Sequence, residues 1–288
     1  MIPKHSAPLG CRVLFFRRCK MLEAMRITLN DPDVFAVTAF LAGLIGICVG
    51  SFLNVVIYRL PRGMSLAMPP SHCPSCNRRL RWFENIPILS YLFLRGRCRT
   101  CRARISPRYT VVELANGALW VAAVFVWRSN ILMAVVAALA VSVCLCVCFI
   151  DWEQGMIPDR FHIMLALLAI PATLLDTYDG WISHVIGAAA GSAALALVGF
   201  LVSKRIGREA LGWGDVKFVA VSGAFLGWKR LLLTLLLASV GGCLWSLIRR
   251  RGEKQKTVAF GPFLTFGFTA ALFAGEPIIR AYLSLFAW

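Results

Sequence analysis

Charge is scarce in this 288-residue chain, at 16%, and only 14 residues are acidic. Average soluble proteins are about 25% charged and about 45–50% apolar. With 59% hydrophobic residues and a mean hydropathy of +0.71, this chain has too little polar surface to cover a water-soluble globule. Alternating segments of about ten residues are also missing, which excludes an outer-membrane barrel. Intrinsic disorder, a secreted disulfide scaffold and a soluble enzyme are excluded on the same grounds. What the chain has instead is a series of apolar runs that reach or approach the roughly 20 residues of a membrane-crossing helix. They lie at 34–57, 111–127, 131–150, 161–176, 181–203, 216–227, 229–248 and 258–275. The expected fold is therefore an all-α polytopic membrane protein with about eight transmembrane helices. The run at 216–227 is short enough to be tilted or partly re-entrant.

The 31 basic residues give a net charge of +17, and their placement is informative. Segment 58–110 holds 11 arginines against one acid, Glu84. Lys and Arg accumulate in cytoplasmic loops, so this side is assigned inside. Alternating from there places 21 of the 31 positive charges inside, and Arg128, Lys229, Arg230 and Arg280 outside. Topology thus accounts for the charge and nucleic acid is not needed. The other six, Lys4 to Arg26, lie in an N-terminal segment that the count puts outside. A cytoplasmic N-terminus with another span count, a basic tail that translocates, or a start codon placed too early would each explain them. A start at Met25 is preferred. Residues 1–33 have no clean apolar core for a cleaved signal peptide.

Eleven cysteines fall into two groups. Cys11, Cys19, Cys48, Cys144, Cys146, Cys148 and Cys243 are scattered, mostly in apolar runs, where a thiol acts as a small hydrophobe. Cys73-Pro-Ser-Cys76 and Cys98-Arg-Thr-Cys101 form two CxxC pairs with 21 residues between them. That spacing matches a four-cysteine zinc ribbon, a closed structural site with no position for water. Two disulfides are the alternative, and a reducing cytoplasmic face disfavours them. His72 is not needed as a ligand.

Carboxylates at the edge of hydrocarbon are expensive and point to function, with ion pairing or helix capping as the plainer explanation. Asp151 ends the third span, ahead of Ile157-Pro158-Asp159. Asp215 opens the sixth in Gly212-Trp213-Gly214-Asp215. Two spans separate them, so both return to the face that carries the cysteine loop. Two aspartates meeting there could share a proton, the ionised one activating water and the protonated one polarising a peptide carbonyl. Proton sites of a proton-coupled transporter or scaffold, with the zinc loop as a docking module, are the alternative reading. The internal repeat common in transporters is missing.

Taken together, Gly50-Ser51-Phe52-Leu53-Asn54, the CxxC pairs, Ser106-Pro107-Arg108-Tyr109 with Glu113, Asp151 with Ile157-Pro158-Asp159, Gly212 to Lys217 and Phe260-Gly261-Pro262-Phe263 resemble the bifunctional prepilin peptidases. These are GxGD aspartyl proteases of bacterial type IV pilus and type II secretion systems. The resemblance covers about residues 40–275. It implies a multi-pass enzyme of the bacterial inner membrane that cleaves the leader from prepilins or pseudopilins at the cytoplasmic face. It also implies N-methylation of the new N-terminus with S-adenosylmethionine. Asp151 and Asp215 would be the catalytic pair, and Cys73, Cys76, Cys98 and Cys101 the zinc ligands.

On this basis residues 1–33 form a basic extension and 34–127 the methylation-associated region, with the zinc loop at 58–110. Residues 128–275 form the peptidase domain and 276–288 a C-terminal tail. Asp159 is expected to cap the fourth span, and Glu113 to pair with a loop arginine or else assist methyl transfer. Gly187, Gly191 and Gly199 read as helix-packing positions rather than a nucleotide fingerprint, and the methyl donor has no assigned residues.

Overall fold

A computed structural model describes residues 31–176, 178–207, 211–249 and 259–285. Residues 1–30 of the basic N-terminal extension, with its start site, lie outside the described residues, while Pro32 and Asp33 already belong to the first helix. The described chain is almost wholly helical, with helices α1 (Pro32–Arg59), α2 (Leu89–Phe93), α3 (Arg108–Val126), α4 (Ile131–Gln154), α5 (Asp159–Leu175), α6 (Trp181–Ile206), α7 (Trp213–Leu226), α8 (Trp228–Arg249) and α9 (Gly261–Ser284). Every apolar run of the sequence is a helix.

Six helical segments are long and apolar enough to cross a membrane: Pro32–Arg62, Arg108–Val126, Ile131–Gln154, Trp181–Ile206, Trp228–Ile248 and Gly261–Ser284. Among the described residues the expectation of about eight spans is therefore not confirmed, six being long and apolar enough. Helix α5 has 17 residues and an internal Pro171, and α7 has 14. At 1.5 Å per residue, α7 is about 21 Å long, short of a roughly 30 Å hydrocarbon core. The last helix runs past residue 275 to Ser284, with Glu276 and Arg280 paired one turn apart at 2.8 Å.

Local chemistry sets the helix ends. The Asp31 side chain accepts from the Asp33 amide, with Pro32 next in the chain, and the Asn130 side chain accepts from Met133. Helix α4 stops at Gly155, which adopts the left-handed conformation (φ 66°) and donates to the Asp151 carbonyl at 2.8 Å. That stop leaves the Asp151 side chain in the final turn.

Helix α4 is the hub, the most buried of the six long apolar helices. The α1/α3 pair packs on one side of it, and α5 and α9 on others. Polar side chains join the first three: Asn116 Nδ2 donates to the Gly46 carbonyl at 2.7 Å, and Ser142 Oγ donates to Asn116 Oδ1 at 2.8 Å. Trp120 Nε1 donates to Ser142 Oγ at 2.9 Å. Without water to compete, such bonds hold helices together.

Helix α7 is held by its backbone against α6. A Cβ on Gly223 would sit 2.3 Å from the Gly187 carbonyl carbon, so only hydrogen fits there. At the far end from the cysteine loop, Arg230 pairs with Asp176, and Lys229 Nζ pairs with Asp179 at 2.9 Å. His184 Nδ1 meets the Ala224 carbonyl at 3.0 Å and anchors the end of α7.

Candidate functional site

One end of the bundle gathers the C-terminus of α4, the N-terminus of α7, the start of α9 and the cysteine loop. Asp151 and Asp215 are both buried there, at 5% and 9% exposure, and their carboxylates are near enough to feel each other's charge. The Asp151 Oδ2 accepts the Gly261 amide at 2.9 Å. A Cβ on Gly261 would lie 2.6 Å from that oxygen, so the absence of a side chain lets backbone reach carboxylate. Asp215 sits in the first turn of α7, its amide donating to the Gly212 carbonyl at 3.1 Å.

Two contacts lock the Gly212–Asp215 turn against α5. Ile157 packs on Gly214, and His162 Nε2 lies 3.0 Å from the Gly214 carbonyl. Asp159 does not cap α5, as had been expected; Pro158 holds that position. Asp159 instead accepts from Lys217 Nζ at 2.7 Å and approaches His162 Nδ1 at 3.6 Å, tying the two aspartate motifs together.

The cysteine loop contains two knuckles of the same geometry. Cys73 N donates to the Arg78 carbonyl and Asn77 N to the Cys73 carbonyl; Cys98 N donates to Ala103 and Arg102 N to Cys98. Asn77 (φ 53°) and Arg102 (φ 61°) occupy matching left-handed positions. Backbone amides of Cys101 and Thr100 aimed at Cys98 bring its thiol down to about 6. The Cys76 amide likewise lowers Cys73. The four Sγ atoms lie within 4.8 Å of one another, and Cys73 and Cys101 are 3.8 Å apart. Zinc–sulfur bonds of about 2.3 Å in a tetrahedron put the sulfurs about 3.8 Å apart, so the cage fits that ion. His72 is exposed and directed to the Pro70 carbonyl, outside the cage.

Glu113 does not meet a loop arginine. It is buried, and its Oε2 accepts the Ile88 amide at 2.8 Å, pinning the loop to α3. The arginine link is made elsewhere: Arg108 at the start of α3 pairs with Glu153 at the end of α4. The Arg78 guanidinium holds Glu84 below the usual carboxylate range. Sequence reasoning missed Gly261 as a hydrogen-bond donor, His162, and the Arg108–Glu153 pair. The Phe260-Gly261-Pro262-Phe263 motif was the available signal for the first. Gly187, Gly191 and Gly199 pack against the α7–α8 elbow, Leu231 and Leu211, as helix-packing positions should.

A polytopic helical membrane protein with paired aspartates and a four-cysteine loop at one end is the class that this fold and site define. The Bacterial Peptidase A24 N-terminal domain matches residues 44–127, and the Type IV leader peptidase family matches 138–247. A prepilin leader peptidase/N-methyltransferase of Burkholderia pseudomallei is 36% identical over 263 residues, covering 81% of this chain and 84% of that protein. Proteins of the same name from Klebsiella pneumoniae (40% identical; 72% and 95% covered) and Stutzerimonas stutzeri (34%; 88% and 96%) also match. No solved structure matches. The chain belongs to the type IV leader peptidase family. The transporter reading is not favoured by these relatives.

Proposed function

We propose that this protein is an aspartyl endopeptidase that removes the leader from type IV prepilins or pseudopilins and then methylates the exposed N-terminus. The feature that supports the peptidase half is that two buried carboxylates, Asp151 and Asp215, stand at one end of the helical bundle, close enough for one to act on the other's charge. The ionised partner takes a proton from water as it attacks the scissile carbonyl; the protonated partner donates a hydrogen bond to the developing oxyanion. The Gly261 amide holds Asp151 in one orientation throughout. This end of the molecule is taken as cytoplasmic, because the arginine-rich loop is on the same side, and the membrane as the bacterial inner membrane.

The four cysteines would hold one structural zinc ion, closing the 73–101 loop. When bound, the ion supplies a fixed cross-link rather than reactivity, since all four positions are filled by thiolate. Methylation draws on S-adenosylmethionine as co-substrate, in keeping with the methyltransferase named in the relatives. Residues 34–127 are assigned to methylation and 128–275 to proteolysis.

The test is cleavage of a prepilin by the purified full chain in detergent. Asp151→Asn and Asp215→Asn should each lower cleavage by about 10³-fold or more, with zinc content and helicity unchanged. Substantial cleavage by either variant overturns the dyad.

A further inference from the structure

The cysteine loop has eleven arginines in segment 58–110 and one acid, and most of the arginines have visible work. Arg78 pairs with Glu84 at 2.8 Å, and Arg108 pairs with Glu153. Arg59 donates to the Ser65, Leu66 and Pro69 carbonyls. Arg62 lies over the Tyr58 ring, and Arg81 and Arg99 over Phe83. Arg79, Arg95, Arg97, Arg102 and Arg104 are different. All five are exposed and none has a hydrogen bond or ion pair with its side chain among the described residues; three of them, Arg95, Arg97 and Arg104, line one cleft of about 520 Å³.

The cleft has a built frame. Arg97 and Arg104 stand opposite each other in an antiparallel bridge, and Ile105 donates to the Gly96 carbonyl at 2.8 Å. Tyr91 also lines it, with its ring 2.9 Å from where a Gly96 Cβ would be. Three arginines lining one cavity, with no carboxylate among the lining residues, call for an anion with several acceptor oxygens.

Depth identifies the source of that anion. The Ile88–Glu113 hydrogen bond ties the loop to the second turn of α3, about 7 Å inward from Arg108 along the helix. Helix α2 follows at once, and its Leu89, Leu92 and Phe93 are 50%, 62% and 83% exposed. Exposed on an element tied to the first turns of a membrane-crossing helix, these side chains are within reach of the bilayer interface, and Tyr91 of α2 lines the arginine cleft. Apolar side chains entering the interface beside basic residues are the signature of attachment to anionic lipid.

We propose that the Arg95–Arg97–Arg104 cleft binds the phosphate of an acidic phospholipid headgroup while Leu89, Leu92 and Phe93 enter the adjacent leaflet, fixing the cysteine loop on the membrane surface. The site is independent of the peptidase reading and requires only that the chain be an integral membrane protein.

The experiment reconstitutes the full chain in nanodiscs containing phosphatidylglycerol and phosphatidylcholine, one fraction of the phosphatidylglycerol being photoactivatable. Native mass spectrometry should show retention of phosphatidylglycerol over phosphatidylcholine by about tenfold or more, and crosslinks should map to residues 89–107. Arg95→Gln/Arg97→Gln/Arg104→Gln should remove the preference with zinc content unchanged, and Leu92→Ser/Phe93→Ser, remote from the cysteines, should weaken retention. Equal retention of the two lipids, or crosslinks elsewhere, overturns the proposal whether or not the triple variant keeps its zinc. Full displacement of the lipid by millimolar glycerol phosphate would assign the cleft to a free phosphate and overturn it as well.

Discussion

Asp151, the proposed catalytic partner of Asp215, shows how closely a buried carboxylate depends on one neighbour. Its carboxylate is bonded to the Gly261 amide, and there is no space for a Cβ between them. Gly261→Ala should therefore displace the carboxylate and lower prepilin cleavage by about 10²-fold, the cost of a misplacement near 1 Å. Zinc content and methylation of a pre-cleaved substrate should be retained; full cleavage by the alanine variant would show that the amide does not orient Asp151. Cys98 offers a second test. It is buried, and its thiol is brought low by backbone amides. Cys98→Ser should abolish zinc retention on gel filtration, measured by metal analysis, and unchanged metal would remove the four-thiolate assignment. The aspartates were legible in the sequence because acids are scarce and two stood at span ends, and the cysteines because two CxxC pairs stood at a diagnostic spacing. Gly261 was legible only as part of a motif, since nothing in a one-dimensional pattern says that residue 261 meets residue 151.

Helices carry these residues to their places, and two junctions matter most. At the first, Gly187 and Gly223 let α6 and α7 touch backbone to backbone. Gly223→Leu should force them apart, destabilising the protein by about 1–3 kcal/mol as overpacking does, and should reduce cleavage because α7 carries Asp215. Thermal unfolding with a cleavage assay measures both, and zinc content should not change. At the second, the Arg108–Glu153 pair joins the first turn of α3 to the last turn of α4. Arg108→Glu should lower the unfolding temperature and Arg108→Glu/Glu153→Arg should recover it; no recovery would mean that the pair does not couple the two helices. All eight apolar runs became helices because their composition allows nothing else in lipid. The number of spans was not legible in the same way, since α5 and α7 sit where length, tilt and neighbours decide how far a helix goes.

On the proposed function, the chain divides its work between a four-cysteine loop held against α3 and a helical bundle with aspartates at one end. Zinc removal by a chelator should therefore separate the two activities, abolishing methylation and leaving prepilin cleavage within about a few-fold, as read by mass spectrometry of the product N-terminus. Simultaneous loss of both would show that the loop also supports the aspartate site. Composition alone determined that the chain lives in a membrane as helices, because a surface so poor in charge cannot face water. Motif spacing alone determined which carboxylates and thiols were worth pairing. Only the tertiary structure decided what Asp159 and Glu113 do, one accepting from Lys217 and the other from the Ile88 amide. It also decided which arginines of the loop are spoken for and which three of the others share a common cleft. Hydrogen-bond partners are chosen by proximity in space, and helices of apolar sequence bring together residues that lie up to 110 positions apart.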